Sequence, residues 1–561
     1  MAEDRVLDDF ADQSGRESTI PRLGKSGARY PVRTADFTPQ RVTFRADFAL
    51  HREVADITPA RVGQLSPDGR WRWDGAAWRA VEPPSLPAWA STRVAWSAGS
   101  AAMAAALVVG LLADQALRTS TFGLGATLTF VVGGVMAVTL GRLQRTESRL
   151  LFGGAVLFAL WFSLRASPWL MWPDLVAALM LLGLATSFAV RGSVFDLGAT
   201  ELAARFFHSC LQLAAGAGFI ATPALRARGR MRSAAPYLRG VLLALPIAAL
   251  IAGLLASADP VFASFFRLNI DLGTLLLDLF FVLVGALSAA GLLRIAASEP
   301  LERIDGPAWR LGATETLVVL AVLDAVFLAF AAAQVMAATG GAADALRSAG
   351  VTYADYARSG FFQLLWVAGI TLALLVLFGR AGKVSQGGAR LGFIALALGA
   401  IALTLMIDVV AFRRLGLYEE AYGFTMLRLY SHVFAVWVAV VFVLLALDFL
   451  GVWRSRRWFV GATIVTALAV LLGLNIGSPE AMVVALNTSH AQTAHKIDTG
   501  YLAELSSDAT PALLDSRAHL DPALRDQVTR AACDGDRTYS FSWAAFNVAA
   551  MAAADARRND C

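Results

Sequence analysis

The chain has 561 residues, of which 57% are hydrophobic and only 16% charged, and its formal net charge is +5. Soluble proteins carry about 25% charged residues, so this composition excludes an ordinary water-soluble enzyme or binding module and makes the lipid bilayer the main partner. The basic excess is arginine, with lysine only at Lys25, Lys383 and Lys496; no basic run is interleaved with aromatics, so nucleic acid is not an expected partner.

Residues 1–88 are polar, nearly balanced in charge and without an apolar leader stretch, and they read as a cytoplasmic tail. Within them the segment from Ser66-Pro67-Asp68-Gly69 through Trp71, Trp73, Asp74-Gly75 and Trp78 places two turn signals between short tryptophan-bearing runs. It predicts a small Trp-rich β-hairpin at 65–81. That hairpin is either a docking module for a protein partner or the membrane surface, or a self-packed appendage on a leash. The proline-rich stretch Glu82-Pro83-Pro84-Ser85-Leu86-Pro87 is a linker.

From about residue 89 to 475 long apolar stretches recur with short polar gaps, several of them reaching the roughly 18 apolar residues of a bilayer-spanning helix. Val94–Leu112 and Thr316–Ala333 are examples. Spans are predicted at 92–112, 121–141, 150–165, 172–190, 238–257, 272–294, 315–337, 361–378, 391–411, 430–450 and 458–475. Segment 201–222 decides whether the count is eleven or twelve. Its polar residues Glu201, Arg205, His208 and Gln212 fall on one helical face, which predicts an amphipathic helix in the inner interface with that stripe toward water. The rival reading is a spanning helix whose stripe lines a cavity. If it does not cross, the inner loops carry more than twice the Lys and Arg of the outer loops, as the positive-inside rule requires.

An odd number of crossings puts residues 476–561 outside. Ser478-Pro479-Glu480 and Asp521-Pro522 read as helix starts with proline at the first position, so a short helical extracytoplasmic domain is expected. There Cys533 and Cys561 either form a disulfide, in an oxidising compartment, or remain two thiols. The expected fold is all-α: a polytopic transmembrane helix bundle of about eleven spans with soluble ends on both sides.

Charge inside a bilayer is costly, which makes each case a functional candidate. Asp278, Asp324 and Asp408 are the intramembrane carboxylates. Asp324 is central in its span; Asp408 stands close to Arg413 and Arg414, where ion pairing is the plainer reading. Three loops assigned to the outer side mix charge with aromatics: one holds Asp259, one Tyr353, Tyr356 and Arg358, and one Arg413, Arg414, Tyr418, Glu419, Glu420, Tyr422 and Arg428. Such a cluster binds an anionic headgroup, sugar or peptide, or else is an aromatic belt with paired charges. No phosphate-binding loop, dinucleotide fingerprint, zinc-helix motif or nucleophile elbow occurs. No cofactor is expected, and no metal: His490 and His495 are five apart and do not share a helical face, which leaves them, with Asp498, a minor metal reading.

The stretch at Leu254–Phe262, the segments around Tyr353–Phe362 and Arg413–Tyr430, and the tail following Asp498 resemble, in order, a bacterial multi-pass membrane family catalogued as domain of unknown function 4173. Gly477-Ser478-Pro479-Glu480 departs from the Asn-Pro-Asp type of start found there. The resemblance implies a multi-pass protein of the bacterial cytoplasmic membrane and no particular activity. Three functions follow from the residues: a non-enzymatic sensor, scaffold or accessory factor; a transporter or flippase using Asp278 and Asp324; or a membrane-embedded enzyme acting on a lipid-linked substrate at the outer loops.

Overall fold

The computed structural model describes residues 71–73, 76–80, 93–119, 122–190, 192–226, 272–299, 311–336, 361–381, 387–452, 457–535, 538–539 and 542–561, with a few isolated positions besides. The span expected at 238–257 lies mostly outside the described residues, as do Asp259, Tyr353, Tyr356 and Arg358. Residues 1–83 and 84–561 are separate compact units.

In the first unit β1 (Trp71–Trp73) pairs antiparallel with β2 (Trp78–Ala80), in the register Trp71 to Ala80 and Trp73 to Trp78. Alternation of tryptophan with arginine and a short turn between suit a two-stranded ribbon.

The second unit is helical. Its membrane-type helices are α1 (Ser100–Leu117), α2 (Leu124–Thr139), α3 (Thr146–Leu164) and α4 (Pro168–Ser187), followed by α5 (Ala199–Ala214) and α6 (Gly216–Arg226). Next come α7 (Leu272–Ala297), α8 (Ala313–Met336), α9 (Phe361–Ala381), α10 (Gly387–Tyr422), α11 (Met426–Leu450) and α12 (Trp458–Gly477). Among the described residues nine helices are long and apolar enough to cross a membrane, and Leu124–Thr139 is a shorter apolar one. Their outward faces are leucine, valine and phenylalanine, as on Leu275, Leu276 and Phe280 of α7. A helix that is apolar all round suits lipid on one side and neighbouring helices on the other.

Two sub-bundles form the core. Helices α1 to α4 pack with α7; helices α8 to α11 pack around Leu320, Leu375, Ala397, Ala400 and Phe442. Helix α12 joins them, since Leu468, Leu471 and Leu472 pack against α3 and α4. Small residues bring α1 and α7 into backbone contact, in the manner of membrane helix pairs. A Cβ added at Gly285 would lie 2.5 Å from the Ala113 Cβ and 2.9 Å from the Gly110 Cα. Gly285→Ala is therefore expected to push the helices apart and destabilise the bundle by about 2 kcal/mol through overpacking; thermal unfolding in detergent reads the loss.

Three expectations are corrected. The first helix begins at Ser100 rather than at 92. Residues before it are extended, with Ala95 N–H donating to Ala297 O at 2.7 Å, so the end of α7 takes up the incoming backbone. Second, the stretch around 413–422 is helix and not loop. α10 is continuous over 36 residues, about 54 Å at about 1.5 Å per residue, well beyond a hydrocarbon core about 30 Å thick. Only residues 423–425 break it from α11, with Gly423 at a left-handed φ of 76°.

The third correction concerns the amphipathic segment. It is two helices, α5 and α6, and the polar stripe of α5 turns toward protein rather than water. Glu201, Arg205, His208 and Gln212 are 5%, 3%, 3% and 0% exposed, whereas Phe206 and Phe207 are 64% and 58% exposed. The reason is local chemistry: the stripe finds partners on neighbouring elements. Arg205 donates to Glu201 and to Ser187 at the end of α4; Gln212 donates to Ser91 O and accepts from Arg294 of α7.

After α12 the chain forms a helical C-terminal domain: α13 (Pro479–Ala494), α14 (Thr499–Ala503), α15 (Thr510–Ser516), α16 (Pro522–Cys533) and α17 (Val548–Asp560). Val484, Leu502, Leu513, Leu514 and Val528 make its core. A disulfide joins Cys533 to Cys561, with Cα atoms 5.8 Å apart, and so ties α17 to α16. Proline stands at the first position of α13 and α16, but neither Ser478 nor Asp521 makes a side-chain cap. Asp521 instead meets His495 Nδ1 at 3.1 Å. The caps that are made come from Asp498, on Tyr501 N–H, and Asn547, on Ala550 N–H.

Candidate functional site

Most of the predicted cluster on α10 and α11 is engaged within the chain. Arg428 lies 4.3 Å over the Tyr418 ring and donates to the carbonyls of Tyr422 and Gly423. Glu419 is buried, with Oε1 3.2 Å from His432 Nδ1. Arg414 Nη2 donates to Gln334 at 3.3 Å. Tyr422 packs on Tyr418, while Arg413 and Glu420 are exposed. Helical spacing puts Arg414, Tyr418 and Tyr422 on one face of α10 and Arg413 and Glu420 on another.

The intramembrane carboxylates differ among themselves. Asp278 stands beside Arg118, which also holds Asp114. Asp408 is half-buried on α10. Asp324 is 8% exposed, its Oδ1 has no hydrogen-bond partner among the described residues, and its carboxylate stands against Gly399 of α10.

The densest polar constellation among the described residues lies where the C-terminal domain meets the bundle, and no local sequence pattern marks it as one site. Glu480, at the start of α13, is 1% exposed. Its Oε1 accepts from Ser167 Oγ at 2.5 Å; its Oε2 accepts from Ser506 N and Oγ at 2.8 and 2.7 Å. It thus bridges the α3–α4 connection and the C-terminal domain. Asp508 Oδ2 accepts the N–H groups of Ala166 and Ser167 at 3.1 and 2.9 Å, at the N-terminus of α4, where an acceptor satisfies orphan donors.

Arg165 ends α3. Its Nε and Nη2 donate to Asn475 O at 2.9 and 2.7 Å, Nη2 also reaches Ile476 O at 3.1 Å, and Nη1 stands 3.9 Å from Asp508 Oδ1. Asn475, fully buried in the last turn of α12, donates to Asp174 Oδ1 at 2.7 Å. Asn547 is also fully buried and donates to the carbonyls of Phe162 and Arg165 at 3.0 and 2.7 Å. Tyr501 O–H meets Met426 N at 2.6 Å, and Asn487 pairs with both backbone groups of Phe424. The C-terminal domain therefore contacts the end of α3, the start of α4 and the start of α11 through hydrogen bonds.

Seven buried side-chain polar atoms among the described residues have no hydrogen-bond partner, and four of them gather here: Trp161 Nε1, Asn475 Oδ1, Ser478 Oγ and Asp508 Oδ1. Buried polar atoms are ordinarily satisfied, so their concentration marks the junction as the unusual place in the molecule. Ser478 adds a left-handed φ of 51° between α12 and α13, a conformation that serine adopts at a cost of about 1 kcal/mol or more. A small pocket lined by Phe122, Trp161, Phe162, Arg165, Met171 and Asp174 opens beside it.

Burial pushes the Glu480 carboxyl above the ordinary carboxylate range. Hydrogen bonds from Ser167 and Ser506 oppose the shift, and the neighbouring Asp508 adds to it. Burial raises Asp508 as well, against the N–H groups of Ser167 and Ala166 and the charge of Arg165. The same desolvation raises the Tyr501 phenol.

The signal for this site was present in the sequence. Asp174 and Asn475 are polar residues inside predicted spans, and Arg165 closes one. Their convergence, across about three hundred residues of chain, was not readable. Among the described residues no group of three or more His, Cys, Asp or Glu side chains is arranged to hold a metal ion.

No curated protein and no solved structure gives a significant match to the chain. The family model described as Domain of unknown function (DUF4153) matches residues 152–516, well over half of the sequence and most of this constellation. That corrects the number of the family its loops resemble, from 4173 to 4153. The chain belongs to the DUF4153 family.

Proposed function

We propose that this membrane protein is a non-enzymatic sensor, scaffold or accessory factor. Its C-terminal domain is the receiving element and its helix bundle the element that responds. One observation carries the reading: Glu480 spends both carboxylate oxygens on joining the bundle, at Ser167, to the C-terminal domain, at Ser506. A buried polar bridge of this kind specifies one docked geometry, because misaligned partners leave unsatisfied groups. The rival reading of an outer-face enzyme is weakened by Arg428, which is occupied by the Tyr418 ring and the carbonyls of Tyr422 and Gly423.

The protein is placed in the bacterial cytoplasmic membrane with the N-terminal tail inside and the C-terminal domain outside. Arg142, Arg145, Arg149, Arg205 and Arg294 gather at or near the bundle end away from that domain, which suits the positive-inside rule. A disulfide between Cys533 and Cys561 suits the oxidising side. On this reading the hairpin at 65–81 engages a cytoplasmic protein partner.

A transporter or flippase is the second reading, favoured by Asp324, a buried carboxylate with an unpartnered oxygen at the contact of α8 with α10. Complementation of a deletion strain separates the two, scored by its envelope and lipid profile. Asp324→Asn and the Arg414→Ala/Glu420→Ala pair are expected to complement fully, whereas Asn547→Ala, which loosens the junction, is expected to fail. Loss of complementation by Asp324→Asn alone would move the assignment to transport.

A further inference from the structure

The junction holds more acid than base. Asp174 and Glu480 are each 1% exposed, the Asp508 side chain is 1% exposed, and all three belong to one connected set of buried groups. The cation facing them is Arg165, and its close hydrogen bonds go to the backbone carbonyls of Asn475 and Ile476; the nearest carboxylate oxygen is Asp508 Oδ1 at 3.9 Å. Among the described residues every other close donor is neutral: the Ser167 and Ser506 hydroxyls, the Asn475 amide, and backbone N–H groups of Ala166, Ser167 and Ser506. Tyr430 and Tyr501 approach Glu480 from α11 and α14 and bring no positive charge; Arg428 and Glu504 lie beyond Tyr501.

Several buried carboxylates sharing one imperfectly placed guanidinium are costly when all are ionised. Interacting carboxylates relieve that cost by retaining a proton. Ser167 Oγ and Glu480 Oε1 are at 2.5 Å, a separation that suits either a hydroxyl donating to carboxylate or a carboxylic acid donating to the hydroxyl.

We propose that the Glu480–Asp508 pair is a proton-binding site that latches the C-terminal domain to the membrane bundle, so that the docked form takes up a proton and alkalinity loosens it. The proposal rests on the sensor reading and supplies its ligand, the proton. Its sign follows from linkage. A carboxyl group raised in the docked state stabilises docking fully below its ordinary pKa, and that contribution is lost as pH rises through the raised value. The upward shifts of Glu480 and Asp508 agree with this direction.

The test uses the full-length chain in lipid nanodiscs between about pH 5 and pH 8. Difference infrared spectroscopy reads the protonated-carboxyl C=O band, and thermal unfolding reads the C-terminal domain. The wild type is expected to show that band at low pH and to lose it on alkalinisation, with a falling melting temperature. Glu480→Gln or Asp508→Asn is expected to weaken the pH-dependent part of the band and flatten the pH dependence of melting, while the neutral amide keeps the domain docked. A wild-type melting curve independent of pH, or a pH-dependent band of undiminished intensity in the Glu480→Gln/Asp508→Asn double variant, overturns the proposal. Neither result touches the complementation assay, so the sensor reading stands or falls separately.

Discussion

Arg205→Met is expected to destabilise the protein by about 3–5 kcal/mol, the cost of leaving one member of a buried ion pair alone. Glu201 and Arg205 are 5% and 3% exposed. Arg205 Nε and Nη2 both donate to Glu201 Oε1, at 2.9 and 2.8 Å, and Nη1 donates to Ser187 Oγ at 2.9 Å. Its guanidinium also covers the Phe188 ring at 4.5 Å. Methionine keeps the apolar stem, so packing changes little and the loss reads the stranded Glu201 charge. The double variant Arg205→Met/Glu201→Gln should recover much of it, because a neutral amide costs less to bury. Urea or thermal unfolding in detergent measures both. A loss below about 1 kcal/mol, typical of exposed pairs, would mean that water reaches this stripe after all.

The second large effect is expected at Asn547. Its amide donates to Phe162 O and Arg165 O, and its Oδ1 caps α17 through Ala550 N–H at 3.0 Å. Alanine strands two buried carbonyls, at about 1–3 kcal/mol for an unsatisfied buried group, and removes a cap worth about 1 kcal/mol. A loss of about 3 kcal/mol is expected, with faster amide exchange in α17 and at the end of α3. Asn547→Asp separates the parts: it keeps the capping oxygen and removes the donor. If its exchange matches that of the alanine variant, the amide donor is the part that holds the segment to the bundle. If it matches the wild type, the cap is.

These two positions show how differently the molecule was written in its sequence. The stripe Glu201, Arg205, His208 and Gln212 was legible as a stripe, because helical spacing is a local property. Which way it faces was not. Amphipathicity states that two faces differ, and lipid, protein and water compete for each. Here Ser187, Ser91 and Arg294 claimed the polar face. The span α10 shows the opposite failure: charge in Arg413, Arg414, Glu419 and Glu420 looked like the end of a helix, yet an intrahelical hydrogen-bond ladder tolerates charge once the chain leaves the apolar slab.

The candidate outer cluster is legible by composition; of its described members Tyr418, Tyr422 and Arg428 pack together, while Arg413 and Glu420 lie on another side of α10. Glu480, Asp508 and Asn547 were passed over because each is ordinary in isolation. Asp174 was as visible as Asp278, a carboxylate within a predicted span. What distinguishes it is Asn475, some three hundred residues away, donating to it at 2.7 Å.

By itself the sequence determined that this chain lives in a bilayer and where most of its helices run. Hydrophobic length and helical period are summed over neighbours in the chain and need no fold. Only the tertiary structure decided which polar groups are buried together, and with them the junction at Ser167, Glu480 and Ser506. Hydrogen bonds and charge act over a few ångströms of space, regardless of how far apart along the backbone their partners stand.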